Sequence, residues 1–182
     1  LMVRFLKADD EGFNAAFSEL LTLKRESSPE VGETVRRIIS DIRSRGDEAL
    51  QELTKTFDSH EAPLAMTAAE IETYADQASP EVVRALENAA HRIRLYHEKQ
   101  MPQAERWEDP QGVVLGWRWT PLDAVGLYVP GGLASYPSSV LMNAIPAKVA
   151  EVERLVMVFP TPEGEVSPAV IAAARIAGIT EI

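Results

Sequence analysis

The chain contains no cysteine, which excludes disulfides, thiolate metal sites and a cysteine nucleophile within it and fits a reducing compartment. Positive charge is also short. Lys and Arg number 18 against 28 Asp and Glu, for a net charge of −10 and a pI near 4.8. A nucleic-acid groove needs clustered Lys and Arg, so no nucleic-acid partner is expected. The apolar stretches are broken by Pro, Lys or Glu well before the ~18 residues a membrane span requires. The stretch Leu1 to Lys7 lacks the apolar core and cleavage site of a signal peptide. Histidine is scarce: His60, His91 and His97. His91 and His97 share a predicted helix at a spacing that puts them on different faces, so they cannot form an i, i+4 metal pair. Those two read as solvated helix side chains. No GxGxxG, P-loop or serine nucleophile elbow is present. What remains is 182 residues, 46% of them hydrophobic. That is one ordinary domain or two small ones, able to bury roughly 70% of the unfolded surface. The expectation is a soluble, acidic, cytoplasmic protein.

The first hundred residues carry helical signals. Phe13, Ala16, Phe17, Leu20 and Leu21 form one stripe within Asp9 to Leu23. Ser27-Ser28-Pro29-Glu30 is a helix start, a serine cap followed by proline at the first helical position. Val31, Val35, Ile38, Ile39 and Ile42 follow, and Gly46 ends that helix. Asp47 is placed to cap a short helix carrying Leu50, Leu53 and Phe57. Thr67 and Glu70 have capping-box spacing, and Ser79-Pro80-Glu81 opens the longest helix, to about Gln100.

The period then changes. Residues 104–108 and 113–119 predict a β-hairpin around Asp109-Pro110-Gln111-Gly112. Trp117 and Trp119 share one face there, which favours core packing over a ligand cage. Ala124 to Val129 is a short apolar strand, expected to be central in its sheet, and it ends in Pro130-Gly131-Gly132. A helix from Pro137 to about Val152 should kink at Pro146 or divide there, since proline inside a helix costs about 3 kcal/mol. Arg154 to Phe159 predicts a buried strand. Ser167-Pro168 caps a helix that stops at Gly178, and Ile179 to Ile182 begins another strand. This order is the start of a doubly wound α/β sheet. A sheet should not stop inside its third strand, so a longer biological chain is expected.

One constellation has chemical promise. Gly126 to Gly132 lies at the carboxyl end of a sheet strand and precedes a helix, where α/β proteins bind ligands. Its glycines let a ligand approach the backbone, and Tyr128 offers an aromatic face and a hydroxyl. An ordinary strand-to-helix turn explains the same residues equally well.

Val125-Gly126-Leu127-Tyr128-Val129-Pro130-Gly131-Gly132, followed by Ser138 to Ala150 with its VLMxAxPAxxA pattern, resembles the histidinol dehydrogenase family. Ile42 to Leu50 and Thr56-Phe57-Asp58 resemble that family's amino-terminal segments, and Pro168 to Ile182 its continuation. The resemblance implies the amino-terminal portion of an NAD-dependent enzyme with one zinc per active site, working as an intertwined homodimer. That enzyme oxidises L-histidinol to L-histidine through the aldehyde, using two NAD+ in succession, in the last step of histidine biosynthesis. In the family a Glu-His pair moves the protons, and Gln, His, Asp and a second His hold the zinc; all lie in the carboxy-terminal half. No catalytic or metal role therefore carries over to this segment. Tyr128 carries over as an NAD contact, and Pro130 and Gly131 accompany it. Phe57 and Pro160 are candidates for the same cleft.

The implied fold is α/β: a helical amino-terminal arm and lobe, then the start of an incomplete Rossmann-like lobe of the aldehyde/histidinol dehydrogenase type. Residues 1–103 form the helical region, 104–123 the hairpin connection, and 124–182 the start of the NAD-binding lobe. The rival is a stand-alone, non-catalytic nucleotide-binding or dimerisation module of the same fold. Another aldehyde-dehydrogenase-like oxidoreductase fits less well, because such enzymes generally use a cysteine.

Overall fold

The computed structural model describes residues 5–25, 29–61, 63–131 and 136–182. The serine cap at Ser27-Ser28 and Gly132 of the predicted turn lie outside them. The contacts divide the chain into two units, Leu1–Leu50 and Gln51–Ile182. The helical region expected over residues 1–103 is thus divided internally, and its second portion shares a core with residues 124–182.

The first unit holds helices α1 (Phe13–Arg25) and α2 (Pro29–Arg45) and the start of α3 (Asp47–Asp58). Gly46 separates α2 from α3 with φ +61°, a conformation glycine adopts at no steric cost. Asp47 is the first residue of α3 rather than a cap outside it.

The second unit contains α4 (Ala68–Ala75), α5 (Pro80–Glu98), β1 (Glu105–Glu108), β2 (Val114–Trp117), β3 (Ala124–Tyr128), α6 (Pro137–Val149), β4 (Arg154–Val158) and α7 (Pro168–Ala177). The predicted caps at Thr67 and Ser79 form. The Thr67 hydroxyl accepts from the Glu70 N–H at 3.3 Å, and the Glu70 carboxylate accepts from the Thr67 N–H at 2.7 Å. The Ser79 hydroxyl accepts from the Val82 N–H, also at 3.3 Å. The Thr67 N–H, and then the Thr67 hydroxyl, hold the Glu70 carboxyl below its usual range. A group with a depressed folded-state pKa stabilises above its unfolded pKa and loses that contribution as pH falls through the folded one. Thr67→Ala is therefore expected to cost about 1 kcal/mol at neutral pH. The deficit should shrink on acidification toward protonated Glu70; unfolding curves in acid and neutral buffer check this, and a pH-independent deficit contradicts it.

The hairpin is antiparallel, with Trp107 opposite Leu115 and Glu105 opposite Trp117. Its turn closes because the Asp109 carboxylate accepts the N–H groups of Gln111 and Val113, each at 2.9 Å, while Gly112 takes φ +84°. The strands cross closely at Gly116, where a Cβ would stand 2.5 Å from the Glu105 carbonyl oxygen. The tryptophans are not core residues. Trp107 and Trp117 meet edge to face at 5.2 Å, and Trp119 lies beyond β2; all three are exposed. A two-stranded ribbon has no second layer of its own to bury them.

β3 and β4 are parallel, in register from Ala124↔Arg154 to Tyr128↔Val158. The predicted last strand contributes a parallel bridge, Val156↔Glu181, with Met157 N–H donating to the Glu181 carbonyl at 2.9 Å. Arg154 grips the Glu181 carboxylate with two nitrogens, at 2.8 and 2.6 Å. Within the described residues β4, not β3, therefore has neighbours on both sides. Strand alternation sends Leu127, Leu155 and Met157 into the core and leaves Tyr128 and Val158 exposed.

The core is one cluster built from α4, α5, α6, α7 and the covered face of β3 and β4. Ala172, Ala173, Ala174 and Ala177 are all buried, and such small residues let α7 lie close to its neighbours. Pro146 does not divide α6, which runs unbroken to Val149. Its missing N–H deprives the carbonyl of Met142, an exposed residue, and buried Ala144 and Ile145 hold the helix to the core. Gly178 ends α7 in the left-handed conformation, φ +75°.

Candidate functional site

At the carboxyl ends of β3 and β4 lies a cavity of about 250 Å³. Its walls include Val129, Pro130 and Gly131 after β3, and Phe159, Pro160 and Pro162 after β4. Ser167 and Val170 at the start of α7 close it. Parallel strands followed by helices leave such a crevice by construction, because the chain turns away from the sheet at each carboxyl end.

The lining is mostly apolar, with Glu165 and Ser167 supplying side-chain oxygen. Ser167 occupies the cap position of α7, but its side chain makes no capping hydrogen bond. Its carbonyl instead accepts from the Val170 and Ile171 N–H groups at 3.1 and 3.2 Å. The hydroxyl of this lining residue is thus not committed to the helix end.

The predicted site residues separate into two places. Pro130 and Gly131 line the cavity, as does Pro160. Tyr128 is not among the described lining residues. It is 65% exposed on the open sheet face, while Val129 points to the covered side. Phe57 is likewise not among the described lining residues, and its ring is exposed. Gly131 is glycine for a packing reason: a Cβ there would come within 2.6 Å of the Pro160 ring. The space left by its missing side chain is filled by Pro160, and the two form one continuous wall.

Of the histidines, His91 is exposed on α5 and His97 meets Tyr96 edge to face. His60 is not on a helix. It follows α3, is half-buried, and its ring lies against Gly164. Among the described residues no group of three or more His, Asp or Glu is arranged to hold a metal ion. A second hollow, about 570 Å³, is lined by Gln51, Glu52, Thr54, Lys55, His60, Glu61 and Pro63. It carries the Lys55–Glu61 ion pair, which holds Glu61 below and Lys55 above their usual ranges. These two charges satisfy each other, so the pair offers no free charge to a ligand.

Residues 21–182 match the model of the family described as histidinol dehydrogenase. The chain belongs to that family. It is 55% identical, over its whole length, to histidinol dehydrogenase of Cereibacter sphaeroides, covering 42% of that protein. It is 53% identical to the Rhizobium meliloti enzyme of the same name over 95% of the chain and 41% of that protein. The crystal structure of histidinol dehydrogenase from Elizabethkingia anophelis superposes with a TM-score of 0.80 at 29% identity, over 85% of this chain and 36% of that one. The resemblance carried by the GLYVPGG and VLMxAxPAxxA runs is thereby confirmed. The chain spans about 42% of the length of these curated relatives.

Proposed function

We propose that this chain is the amino-terminal portion of an NAD-dependent, zinc-containing histidinol dehydrogenase that oxidises L-histidinol to L-histidine through the aldehyde. The observation that carries the reading is the family match over residues 21–182, with half or more of the residues identical to curated relatives across nearly the whole chain. The cavity beyond β3 and β4 supports a cofactor role. Its volume, about 250 Å³, lies just below the ~300–1,000 Å³ of pockets that enclose a drug-sized ligand. It fits one ring or ribose of a dinucleotide rather than the whole. The remainder would run over the open sheet face, where Tyr128 supplies an exposed ring and hydroxyl. Bound NAD+ would accept a hydride in each oxidation. This chain's share is to position it: Pro130, Gly131 and Pro160 wall the ring, and the Ser167 hydroxyl offers a polar contact.

The zinc ligands and the proton-transferring pair belong, in this reading, to the portion of the enzyme outside this segment, so no catalytic step is placed on His60, His91 or His97. A Rossmann-like lobe beginning at β3, a homodimer and a cytoplasmic location complete the proposal. The exposed apolar surface of the hairpin, including Trp107, Val114, Leu115 and Trp117, supports burial against a partner subunit. No helix of the described residues is long and apolar enough to cross a membrane.

The test is NADH formation from L-histidinol by the full-length protein and, in parallel, by the 182-residue segment with added zinc. Turnover by the first alone is expected. A full-length protein without turnover sinks the enzyme reading and favours a stand-alone module; turnover by the segment means that the catalytic residues are misplaced.

A further inference from the structure

The end of α3 is joined to the wall of the cavity. The Asp58 carboxylate, half-buried, accepts the Thr161 N–H at 3.3 Å. Ser59 then turns the chain with φ +53°, and His60 comes to rest on Gly164. The packing there is close. A Cβ on Gly164 would stand 2.7 Å from the His60 Cε1 atom and 2.8 Å from its Nδ1. The turn that receives them is itself unusual, with Glu163 at φ +58° and Gly164 at +77°. A non-glycine residue held in the left-handed region persists only where its surroundings over-determine it. Each side of this junction carries one such residue, Ser59 in one segment and Glu163 in the other.

The consequence falls on the cavity. Pro160 and Pro162 flank Thr161, and both line the cavity, Pro160 directly against Gly131. Neither proline has an N–H to tie it down, and the N–H of Thr161 between them is the one that Asp58 takes. We propose that Asp58 is a positioning residue for the cofactor: by holding Thr161, with His60 seated on Gly164, it sets where Pro160 and Pro162 stand and so how closely the cleft fits its ring. This rests on the reading of the cleft as a dinucleotide site. Asp58 does not touch the cavity itself; it acts through the turn.

The experiment is NAD+ titration and steady-state kinetics on the full-length enzyme with Asp58→Ala, Asp58→Asn and Tyr128→Ala, each with a thermal melt. Asp58→Ala removes the acceptor and should weaken NAD+ binding roughly three- to tenfold, as the loss of one hydrogen bond does. kcat should stay within about twofold and the KM for the alcohol should not move, because the turn touches neither the reacting atoms nor the second substrate. Asp58→Asn keeps an acceptor oxygen in place and should restore most of the affinity. Amide exchange at Thr161 should quicken in Asp58→Ala and not in Asp58→Asn. If Asp58→Ala binds NAD+ like the parent while Tyr128→Ala does not, the positioning role is overturned and the cofactor reading stands. If neither variant changes NAD+ affinity, the cofactor reading fails and takes this inference with it. Equal losses in every kinetic constant, with no rescue by Asn, overturn it as mere structural damage. Should Asp58→Ala not fold, Asp58→Glu decides instead: the added methylene should shift the turn and weaken NAD+ binding, and unchanged affinity overturns the proposal.

Discussion

Ile171→Ala is expected to lower stability by about 2–5 kcal/mol, toward the upper end of that range. Ile171 is completely buried in α7, at the centre of the cluster that α4, α5 and α6 share with the sheet. The cost of such a truncation has two components, the lost transfer of the methylenes from water and the cavity left behind. The second depends on whether neighbours can collapse into the space. Here they cannot do so easily. Ala172, Ala173, Ala174 and Ala177 of the same helix are buried and small, so α7 holds little side-chain volume of its own to refill the space. Ile171→Val removes one methyl group and should cost only about 0.5–1.5 kcal/mol. Urea unfolding of both variants beside the parent checks the pair. A loss for Ile171→Ala no larger than that for Ile171→Val would mean that α7 is not tightly held.

Much of this core is legible in the sequence because several helix ends are marked chemically. Thr67 with Glu70, Ser79 before Pro80, and Gly178 after Ala177 occupy the places that their side chains or φ angles require. Local rules suffice there, since cap and helix are neighbours in the chain. They fail where the outcome depends on what else is present. Large aromatics usually find a core, and the hairpin tryptophans read that way, but a ribbon of two strands has no layer to bury them against. Proline often divides a helix, yet α6 runs through Pro146 to Val149, with Ala144 and Ile145 before it buried in the core.

The site divides in the same way. That ligand-binding residues should follow β3 is a property of parallel strands, visible in Pro130-Gly131 alone. That Tyr128 faces away from Leu127 and Val129, and so is not among the described lining residues, is a matter of strand alternation, legible in principle once Leu127 and Val129 are taken as core. The contact between Asp58 and Thr161 is not legible at all. It joins residues 103 positions apart, and no spacing rule connects the end of one helix to the loop after a distant strand. The same holds for His60 on Gly164. Only the positive φ angles, which side chains other than glycine rarely adopt, mark these loops as held from outside, and those angles belong to the folded chain.

Gly131→Ala is the sharpest test of how the cleft is built. The new Cβ would stand 2.6 Å from Pro160 Cγ, 3.2 Å from Cδ and 3.3 Å from the Pro160 carbonyl oxygen. A flexible side chain would swing away from such a contact, but a pyrrolidine ring is fixed to its own backbone, so the two segments that make this wall must separate. Overpacking of this kind costs typically about 1–3 kcal/mol. Because both displaced residues line the cavity, some of that cost should appear as a poorer fit for the bound ring. At about 1.4 kcal/mol per factor of ten, NAD+ affinity in the full-length enzyme should fall by roughly tenfold. Gly126→Ala is the control. It lies in β3, and a Cβ there meets nothing within 4 Å. Its stability should change by less than about 0.5 kcal/mol, the usual range for a surface substitution. A melting temperature lowered in Gly131→Ala with NAD+ affinity intact would show that Gly131 serves packing alone and that the cofactor does not use this wall. Affinity lost in step with stability in Gly131→Ala, with stability kept in Gly126→Ala, would tie the cofactor to the Gly131–Pro160 contact.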